Sequence, residues 1–177
     1  MEKNRYLHYG LVLTGIAFLS ALILAVVNDK TAPIIAENDI ITINNARKKV
    51  LPLAQTFVAA EAIKKEELEF IPGKNEAGEL MGYVVSGSEN GYAGAIKFVI
   101  GIGKDGKMTG VDIVGHQETP GLGSKIIGEE WKKHWIGKDS AYKFNKTVDG
   151  FAGATISPEA VHKGLVKVLN VFDKEVK

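Results

Sequence analysis

The sequence predicts an α+β protein in which a single N-terminal transmembrane helix precedes an antiparallel sheet with packed helices. Three observations carry this prediction. Residues 9–27 contain no charged side chain. Three β-branched segments between residues 79 and 115 are bounded by glycine, asparagine and aspartate. Apolar side chains then recur at helical spacing from Pro158 to about Lys174.

The composition excludes several classes of function. The chain of 177 residues is long enough for one globular domain and an anchor. Its 22 basic and 21 acidic residues leave a net charge of +1, which argues against nucleic-acid binding because phosphate contacts require a basic excess. The sequence contains no cysteine, so disulfides, iron–sulfur clusters, thiolate metal sites and cysteine lipidation are excluded. We predict no metal site.

The N-terminal segment has the length of a membrane span. Tyr9–Val27 has 19 residues without a charge, and a helix rising about 1.5 Å per residue covers a bilayer core of about 30 Å. Tyr6 and Tyr9 lie where an aromatic belt is expected. A cleaved signal peptide is the main alternative, but the apolar run is long and no A-x-A site follows. A buried core helix fits less well, because the run has no polar face.

Charges on either side of the span predict its orientation in a cell (inner) membrane. Lys3 and Arg5 precede it, whereas Asn28–Lys30 follows it. The positive-inside rule therefore predicts a cytoplasmic N-terminus and an extracytoplasmic domain. The basic run Arg47–Lys49 weakens this count, but it begins 20 residues beyond Val27. Residues 1–30 are thus predicted to form the cytoplasmic N-terminus and the anchor.

A helical connector is predicted over residues 31–53. Thr31 can cap its start, and Pro33 suits a first helical turn. Its apolar stripe is only partial, so we expect it to continue from the anchor. The globular domain is then predicted over residues 54–177.

Strands are predicted at Glu79–Ser86, Gly94–Ile102 and Lys107–Gly115. The run Lys104–Lys107 has the residues of a hairpin turn. Gly101–Gly106 also matches the dinucleotide fingerprint G-x-G-x-x-G. That fingerprint must open a helix. Here a strand follows, so we interpret the match as a hairpin.

Two helices are predicted after the sheet. Residues 124–135 form a short helix carrying Trp131 and Trp135. The last helix begins at Pro158, with Ser157 as its N-cap. Five apolar side chains share one face of that helix: Val161, Leu165, Val168, Leu169 and Phe172.

The segment Asp149–Ser157 precedes the last helix. Gly153 and Ala154 leave the backbone open, and Thr155 presents a hydroxyl next to a helix N-terminus. Unpaired N–H groups and the helix dipole at such a place favour a phosphate. On physical grounds alone, a plain glycine-rich helix entry with a serine cap explains the same residues.

Two further segments combine glycine with polar or aromatic residues. The loop His116–Gly123 can place backbone groups against a planar polar ligand, although a surface turn with a solvated His116 is the simpler explanation. The turn Asn90–Gly94 carries Tyr92, which can lie against a ring system. Packing of Tyr92 in the core is the simpler explanation.

Together these segments resemble a known family. The resemblance rests on Thr31-Ala32-Pro33, Gly91-Tyr92-x-Gly94, Glu118–Gly123, Trp131 and Gly153-Ala154-Thr155, in that order and with the anchor before them. The chain resembles the G subunit of the Rnf (also called Rsx) electron-transport complex. More widely, it resembles the FMN-binding domain shared with the C subunit of the sodium-translocating NADH:quinone reductase.

The resemblance implies a covalent flavin. In the family, a separate flavin transferase joins FMN through its phosphate to the threonine that matches Thr155, and Asp149 matches the acidic residue that begins the pattern. Ala152 departs from the family, which commonly has serine or threonine there, and so does Ile156-Ser157-Pro158. The implied cofactor-binding residues are Tyr92, His116, Glu118, Thr119, Gly121, Leu122, Gly123, Asp149, Gly153, Ala154, Thr155 and Ser157. No catalytic residue is implied.

The resemblance also implies a role and partners. The expected role is electron relay within a complex that couples ferredoxin:NAD electron transfer to Na⁺ or H⁺ translocation, without substrate turnover by this chain alone. Its partners would be other integral membrane and redox subunits, the transferase and the lipid bilayer, and no nucleic acid. Two alternatives stay open: a membrane-anchored FMN-binding sensor or interaction module, and an assembly domain without flavin.

Overall fold

The computed structural model describes residues 2–177, with side chains from Asn4 onward. The chain divides into two compact units, Met1–Ile41 and Thr42–Lys177. The predicted boundaries after residues 30 and 53 stay predictions. The second unit already includes the last turns of the predicted connector.

Helix α1 spans Glu2–Val50 without interruption and contains Pro33. The expectation that the connector continues from the anchor is therefore confirmed, and Thr31 and Pro33 lie inside one helix. The Thr31 hydroxyl donates to the Val27 carbonyl oxygen at 3.0 Å instead of capping. Among the described residues, α1 is the one helix whose length and apolar composition would allow it to cross a membrane.

The second unit is built on an antiparallel sheet. Its strands are β1 (Thr56–Phe57), β2 (Ile63–Lys65), β3 (Leu68–Lys74), β4 (Leu80–Asn90), β5 (Ala95–Gly103) and β6 (Met108–Gly115). The strand order is β1-β3-β4-β5-β6, with β2 paired to β3. The three predicted strands are confirmed. Strands β1 to β3 were not predicted, since β1 and β2 are very short and Pro72 and Gly73 interrupt the pattern of β3.

The turn between β5 and β6 confirms the hairpin interpretation of Gly101–Gly106. The Gly103 N–H donates to the Lys107 carbonyl oxygen at 2.9 Å. Gly106 has φ +84°, a conformation that glycine adopts readily. No helix follows this glycine pattern, since the chain continues into β6.

The predicted helix over residues 124–135 is divided in two. A 3₁₀ segment spans Gly123–Ile127 and α2 spans Glu129–Lys133. Gly128 lies between them in an extended conformation, with φ −62° and ψ 131°. Trp135 follows α2, so the prediction of one continuous helix is wrong.

Helix α3 spans Ile156–Glu175. It begins two residues before the predicted start, with Thr155 at the N-cap position. The predicted Ser157 cap is wrong, because the Ser157 side chain lies inside the first turn and its hydroxyl donates to Glu118 instead.

Two hydrophobic cores cover the two faces of the sheet, as alternation along the strands requires. All five predicted apolar residues of α3 are buried in the larger core, together with Phe70, Val85, Phe98 and Ile100. The smaller core contains Ile71, Val84 and Val99 with Ala46 and Val50, which belong to the last turns of α1. The sheet is therefore held between α3 and the end of α1.

Candidate functional site

The three predicted segments meet around a cavity of about 390 Å³. Its volume lies in the range of about 300–1,000 Å³ that is usual for ligand pockets. Ten residues line it: Tyr92, Glu118, Thr119, Leu122, Gly123, Gly153, Ala154, Thr155, Ile156 and Ser157. Nine of these ten were predicted from the sequence.

The register of the sheet explains why distant segments meet. Asn90 pairs with Ala95 across β4 and β5, and Lys97 pairs with Gly115 across β5 and β6. The β4–β5 turn and the loop that leaves β6 therefore lie at the same end of the sheet. Helix α3 starts at this end too, as the hydrogen bond between Ser157 in its first turn and the loop residue Glu118 shows.

Thr155 lies half-buried at the N-terminus of α3. Its backbone carbonyl accepts the first helical hydrogen bond, from the Glu159 N–H at 3.1 Å. Its side chain makes no capping hydrogen bond, so the hydroxyl is not engaged in holding the helix start. The first N–H groups of a helix have no intrahelical acceptor. Together with the helix dipole they make this wall of the cavity suitable for an anion.

Gly153 opens the backbone beside Thr155. It has φ +77°, and a Cβ built on it would meet no atom within 4 Å. The Ala154 N–H donates to the Phe151 carbonyl oxygen at 3.0 Å and closes a turn here. The small residues at positions 153 and 154 therefore leave open space beside the backbone that precedes Thr155, as the sequence predicted.

Three exposed apolar side chains form the outer wall. Tyr92 is 72% exposed, Ile156 is 53% exposed and Leu122 is 44% exposed. The expectation that Tyr92 packs in the core is wrong, because it lies in the tight turn closed by the Gly91 N–H and the Gly94 carbonyl oxygen. Sequence reasoning missed Ile156, although an apolar residue next to Thr155 was a signal.

Glu118 is 4% exposed, and each of its carboxylate oxygens accepts a hydrogen bond. The Ala93 N–H donates to Oε1 at 3.1 Å, and the Ser157 hydroxyl donates to Oε2 at 2.6 Å. The carboxylate thus connects the turn that carries Tyr92 with the helix start that carries Thr155.

Three predicted site residues do not line the cavity. The Glu118 N–H donates to His116 Nδ1 at 3.1 Å, so the histidine stabilises the backbone of its own loop. Gly121 has φ +76°, and its N–H donates to the Ser124 hydroxyl oxygen at 2.9 Å. Asp149 is fully buried. Their proposed contacts with a cofactor stay predictions.

The Asp149 carboxylate lies within hydrogen-bond distance of three residues between positions 134 and 145. His134 Nε2 lies 2.6 Å from Oδ1, the Tyr142 hydroxyl donates to Oδ1 at 2.9 Å, and the Asn145 N–H donates to Oδ2 at 2.7 Å. Burial by itself raises the pKa of Asp149. The hydrogen bonds from Asn145, Tyr142 and His134, with the charge of His134, outweigh burial and lower that pKa below its usual value.

The same cluster raises the pKa of the neighbouring Tyr142. Burial, the hydrogen bond to Asp149 and the charge of its carboxylate all raise the pKa of Tyr142. Trp131, which the sequence pattern singled out, donates from Nε1 to the Asp149 carbonyl oxygen at 2.8 Å. Sequence reasoning missed His134 and Tyr142, since nothing local to either residue indicates a shared partner.

The fold and the cavity define the class as an FMN-binding domain preceded by a helix of membrane-spanning length. Residues 91–170 match the family model of the FMN-binding domain, and this range contains all ten lining residues. The crystal structure of the C subunit of the Na(+)-translocating NADH-quinone reductase from Parabacteroides distasonis superposes with a TM-score of 0.51 at 23% identity, covering 60% of this chain and 61% of that one. This likeness shows the fold.

Two relatives show the family. The G subunit of the Na(+)-translocating ferredoxin:NAD(+) oxidoreductase complex of Acetobacterium woodii is 34% identical over 92% of this chain and 89% of its own. The G subunit of the proton-translocating ferredoxin:NAD(+) oxidoreductase complex of Clostridium ljungdahlii is 30% identical over 86% and 84%. The chain belongs to the family of G subunits of ion-translocating oxidoreductase complexes, and the resemblance to the Rnf G subunit is confirmed.

The cavity residues fit FMN. A helix N-terminus and a free hydroxyl suit the phosphate, and the glycine backbone permits close approach. The exposed Tyr92 and Leu122 suit a flat ring system. Among the described residues, no cluster of three or more histidine, aspartate or glutamate side chains could hold a metal ion.

Proposed function

We propose that this chain is the electron-relay flavoprotein subunit of a membrane complex that couples ferredoxin:NAD electron transfer to Na⁺ or H⁺ translocation. In this proposal a flavin transferase joins the Thr155 oxygen to the FMN phosphate of a flavin dinucleotide. The bond from that phosphate to the second phosphate breaks, the remaining nucleoside monophosphate leaves, and the threonine proton is released. One observation supports the proposal most directly: Thr155 lines a cavity at the N-terminus of α3, and its hydroxyl makes no capping bond. The relatives named for Na⁺ and for proton translocation support either ion.

The residues of this chain would hold the cofactor in distinct ways. The N–H groups of Ile156 and Ser157 would donate to phosphate oxygens, as helix N-termini do. Gly153 would let the phosphate approach without a Cβ in its way. Tyr92 and Leu122 would cover part of the ring. When bound, FMN supplies the ability to accept one or two electrons.

Covalent attachment suits a relay rather than an enzyme with its own substrate. A phosphoester on Thr155 leaves the ring system chemically unmodified and prevents loss of the cofactor. The mass of the protein would increase by that of FMN minus one water. The other integral membrane and redox subunits of the complex would supply and remove the electrons.

Removal of one hydroxyl tests the attachment. In Thr155→Val the side chain keeps its shape but loses the acceptor oxygen, so we expect covalent flavin to disappear completely. The free energy of unfolding should change by less than about 0.5 kcal/mol, because the hydroxyl makes no capping bond. Intact mass and in-gel fluorescence after denaturation measure the attachment, using protein made together with the transferase.

Thr147→Val is the matched control, since Thr147 is exposed and lies outside the cavity. It should keep its flavin. A Thr155→Val chain that still fluoresces after denaturation contradicts the assignment. The relay itself is tested by purification from native membranes: the chain should co-purify with other integral membrane subunits, and its flavin should be reduced through ferredoxin or NADH. Purification as a single loaded chain would favour the sensor alternative.

We also propose that the N-terminus is cytoplasmic and that the flavin domain is extracytoplasmic, in a single-pass arrangement. The charge asymmetry around residues 9–27 supports this orientation. Alkaline phosphatase fused after Lys177 should be active, because that enzyme requires disulfides that form outside the cytoplasm. An inactive phosphatase together with an active cytoplasmic reporter at the same position would show the opposite orientation.

A further inference from the structure

Glu118 lies in one of the three segments that form the cavity and bonds the other two. It belongs to the loop after β6, its Oε1 accepts from Ala93 in the β4–β5 turn, and its Oε2 accepts from Ser157 in the first turn of α3. Ala93 is the neighbour of Tyr92, and Ser157 lies two residues after Thr155. The Glu118 carboxylate therefore bonds the direct neighbour of Tyr92 and a residue two positions after Thr155.

Glycines on two sides enclose the carboxylate tightly. A Cβ on Gly91 would collide with Glu118 Oε1 and would lie 2.6 Å from Ile96 Cδ1. A Cβ on Gly123 would collide with the Ser157 hydroxyl and would lie 2.6 Å from Glu118 Oε2. The carboxylate therefore lies directly against both glycine backbones, and it bonds both the turn and the helix start.

Both hydrogen-bond partners of Glu118 are neutral. No lysine, arginine or histidine within the described part of the chain lies within ion-pair distance of this carboxylate. If the side chain is shortened, the Ala93 N–H loses its acceptor and Ser157, which is 2% exposed, loses its partner inside the protein. A buried hydroxyl without a partner is unfavourable, so the first turn of α3 should move, and the exposed turn that carries Ala93 loses its bond to the loop.

We propose that Glu118 is a positioning residue for flavin attachment, which holds the Tyr92 turn and the first turn of α3 in a preformed cavity so that the Thr155 hydroxyl is presented to the transferase. This inference rests on the proposed function of Thr155 as the acceptor. It assigns to Glu118 a role that acts through Ala93 and Ser157 rather than through the flavin ring.

The rate of covalent flavin incorporation tests the proposal. The full-length chain in membranes is incubated with the transferase and its flavin donor, and the initial rate is measured for Glu118→Ala and Glu118→Gln. Glu118→Ala should be slower by about tenfold or more, since small displacements of a reacting group have effects of this size. Glu118→Gln should stay within about threefold of the wild type, because its amide oxygen can accept from Ala93 and its NH₂ can donate to Ser157.

A matched control and a second variant separate positioning from general damage. Glu130→Ala removes an exposed carboxylate that pairs with Lys133, and its rate should equal that of the wild type. Ser157→Ala removes one of the two bonds to Glu118, so its rate should fall between those of Glu118→Gln and Glu118→Ala. Ser157→Ala thus keeps the test decisive even if Glu118→Ala does not fold.

Hydrogen exchange supplies a readout that does not depend on the flavin. In chains made without the transferase, Glu118→Ala should speed exchange at residues 91–94 and 153–157, with the strands of the sheet unchanged. A wild-type incorporation rate in Glu118→Ala or in Ser157→Ala overturns the proposal, and so does a Glu118→Gln chain as slow as Glu118→Ala. Failure of the attachment site itself is distinguishable, because covalent flavin would then persist in Thr155→Val.

Discussion

The two ends of the segment Asp149–Ser157 behave differently although Asp149 and Thr155 are only six residues apart. Asp149 is fully buried and accepts hydrogen bonds from side chain and backbone donors. Thr155 is half-buried, and its hydroxyl is not used to cap α3. The difference shows that Asp149 holds the loop to the domain, whereas the Thr155 hydroxyl has no part in capping the helix.

This comparison predicts that substitutions at the two ends separate stability from flavin attachment. Asp149→Ala leaves His134, Tyr142 and Asn145 without their shared acceptor in a buried place. We expect the free energy of unfolding to fall by about 2–4 kcal/mol. Urea unfolding of the full chain in detergent, without flavin, measures the effect.

Thr155→Val provides the opposite case, with lost attachment and unchanged stability. The comparison fails if Asp149→Ala unfolds at the same urea concentration as the wild type while losing its flavin. Asp149 would then act on the transferase or the cofactor directly, although it does not line the cavity.

Two glycines with similar backbone conformations sharpen the comparison further. Gly153 has φ +77° and Gly137 has φ +80°, and a Cβ on either would meet no atom within 4 Å. Alanine at each position should therefore cost a similar amount, about 1–2 kcal/mol, for the left-handed conformation. Only Gly153 lines the cavity, so only Gly153→Ala should also reduce covalent flavin incorporation, measured by intact mass.

Equal flavin loading in Gly153→Ala and Gly137→Ala would show that the space beside Thr155 is not used by the phosphate. Unequal loss of stability would show instead that the surroundings of the two glycines differ more than their backbone angles do.

The smallest expected effect concerns pH. The pKa of Asp149 is lower in the folded state than its usual value, so the folded chain binds fewer protons there than the unfolded chain. Its contribution is complete above the unfolded pKa of about 3.9, and it is lost as the pH falls through the folded pKa. The stability difference between wild type and Asp149→Asn should therefore shrink below about pH 4.

Urea unfolding of both chains at neutral pH and at about pH 3 measures this difference. A difference that stays constant over this range would mean that the charge of Asp149 contributes nothing and that only the shape of its hydrogen-bond network matters.

Sequence reasoning predicted best where the signal is local. Periodicity within one segment predicts strands β4 to β6 and the apolar face of α3. The absence of charge over 19 residues predicts the membrane-spanning segment Tyr9–Val27. The family resemblance implied nine of the ten cavity-lining residues. The glycines and polar side chains by themselves marked the three loops but left plain structural explanations open. The continuation of the connector from the anchor was predicted as well, although the local preference of Thr31 for a cap position is not used, since α1 passes through Pro33 without a break.

What the sequence by itself determined is a set of parts: an apolar helix long enough for a membrane, strands β4 to β6, the amphipathic α3 and three glycine-containing segments. Only the tertiary structure decided which side chains meet. Glu118, Ala93 and Ser157 are brought together by strand pairing and helix packing, and so are Asp149, His134 and Tyr142. Hydrogen bonds between residues far apart in the chain leave no periodic pattern in it, because their geometry exists only after the sheet and α3 have packed.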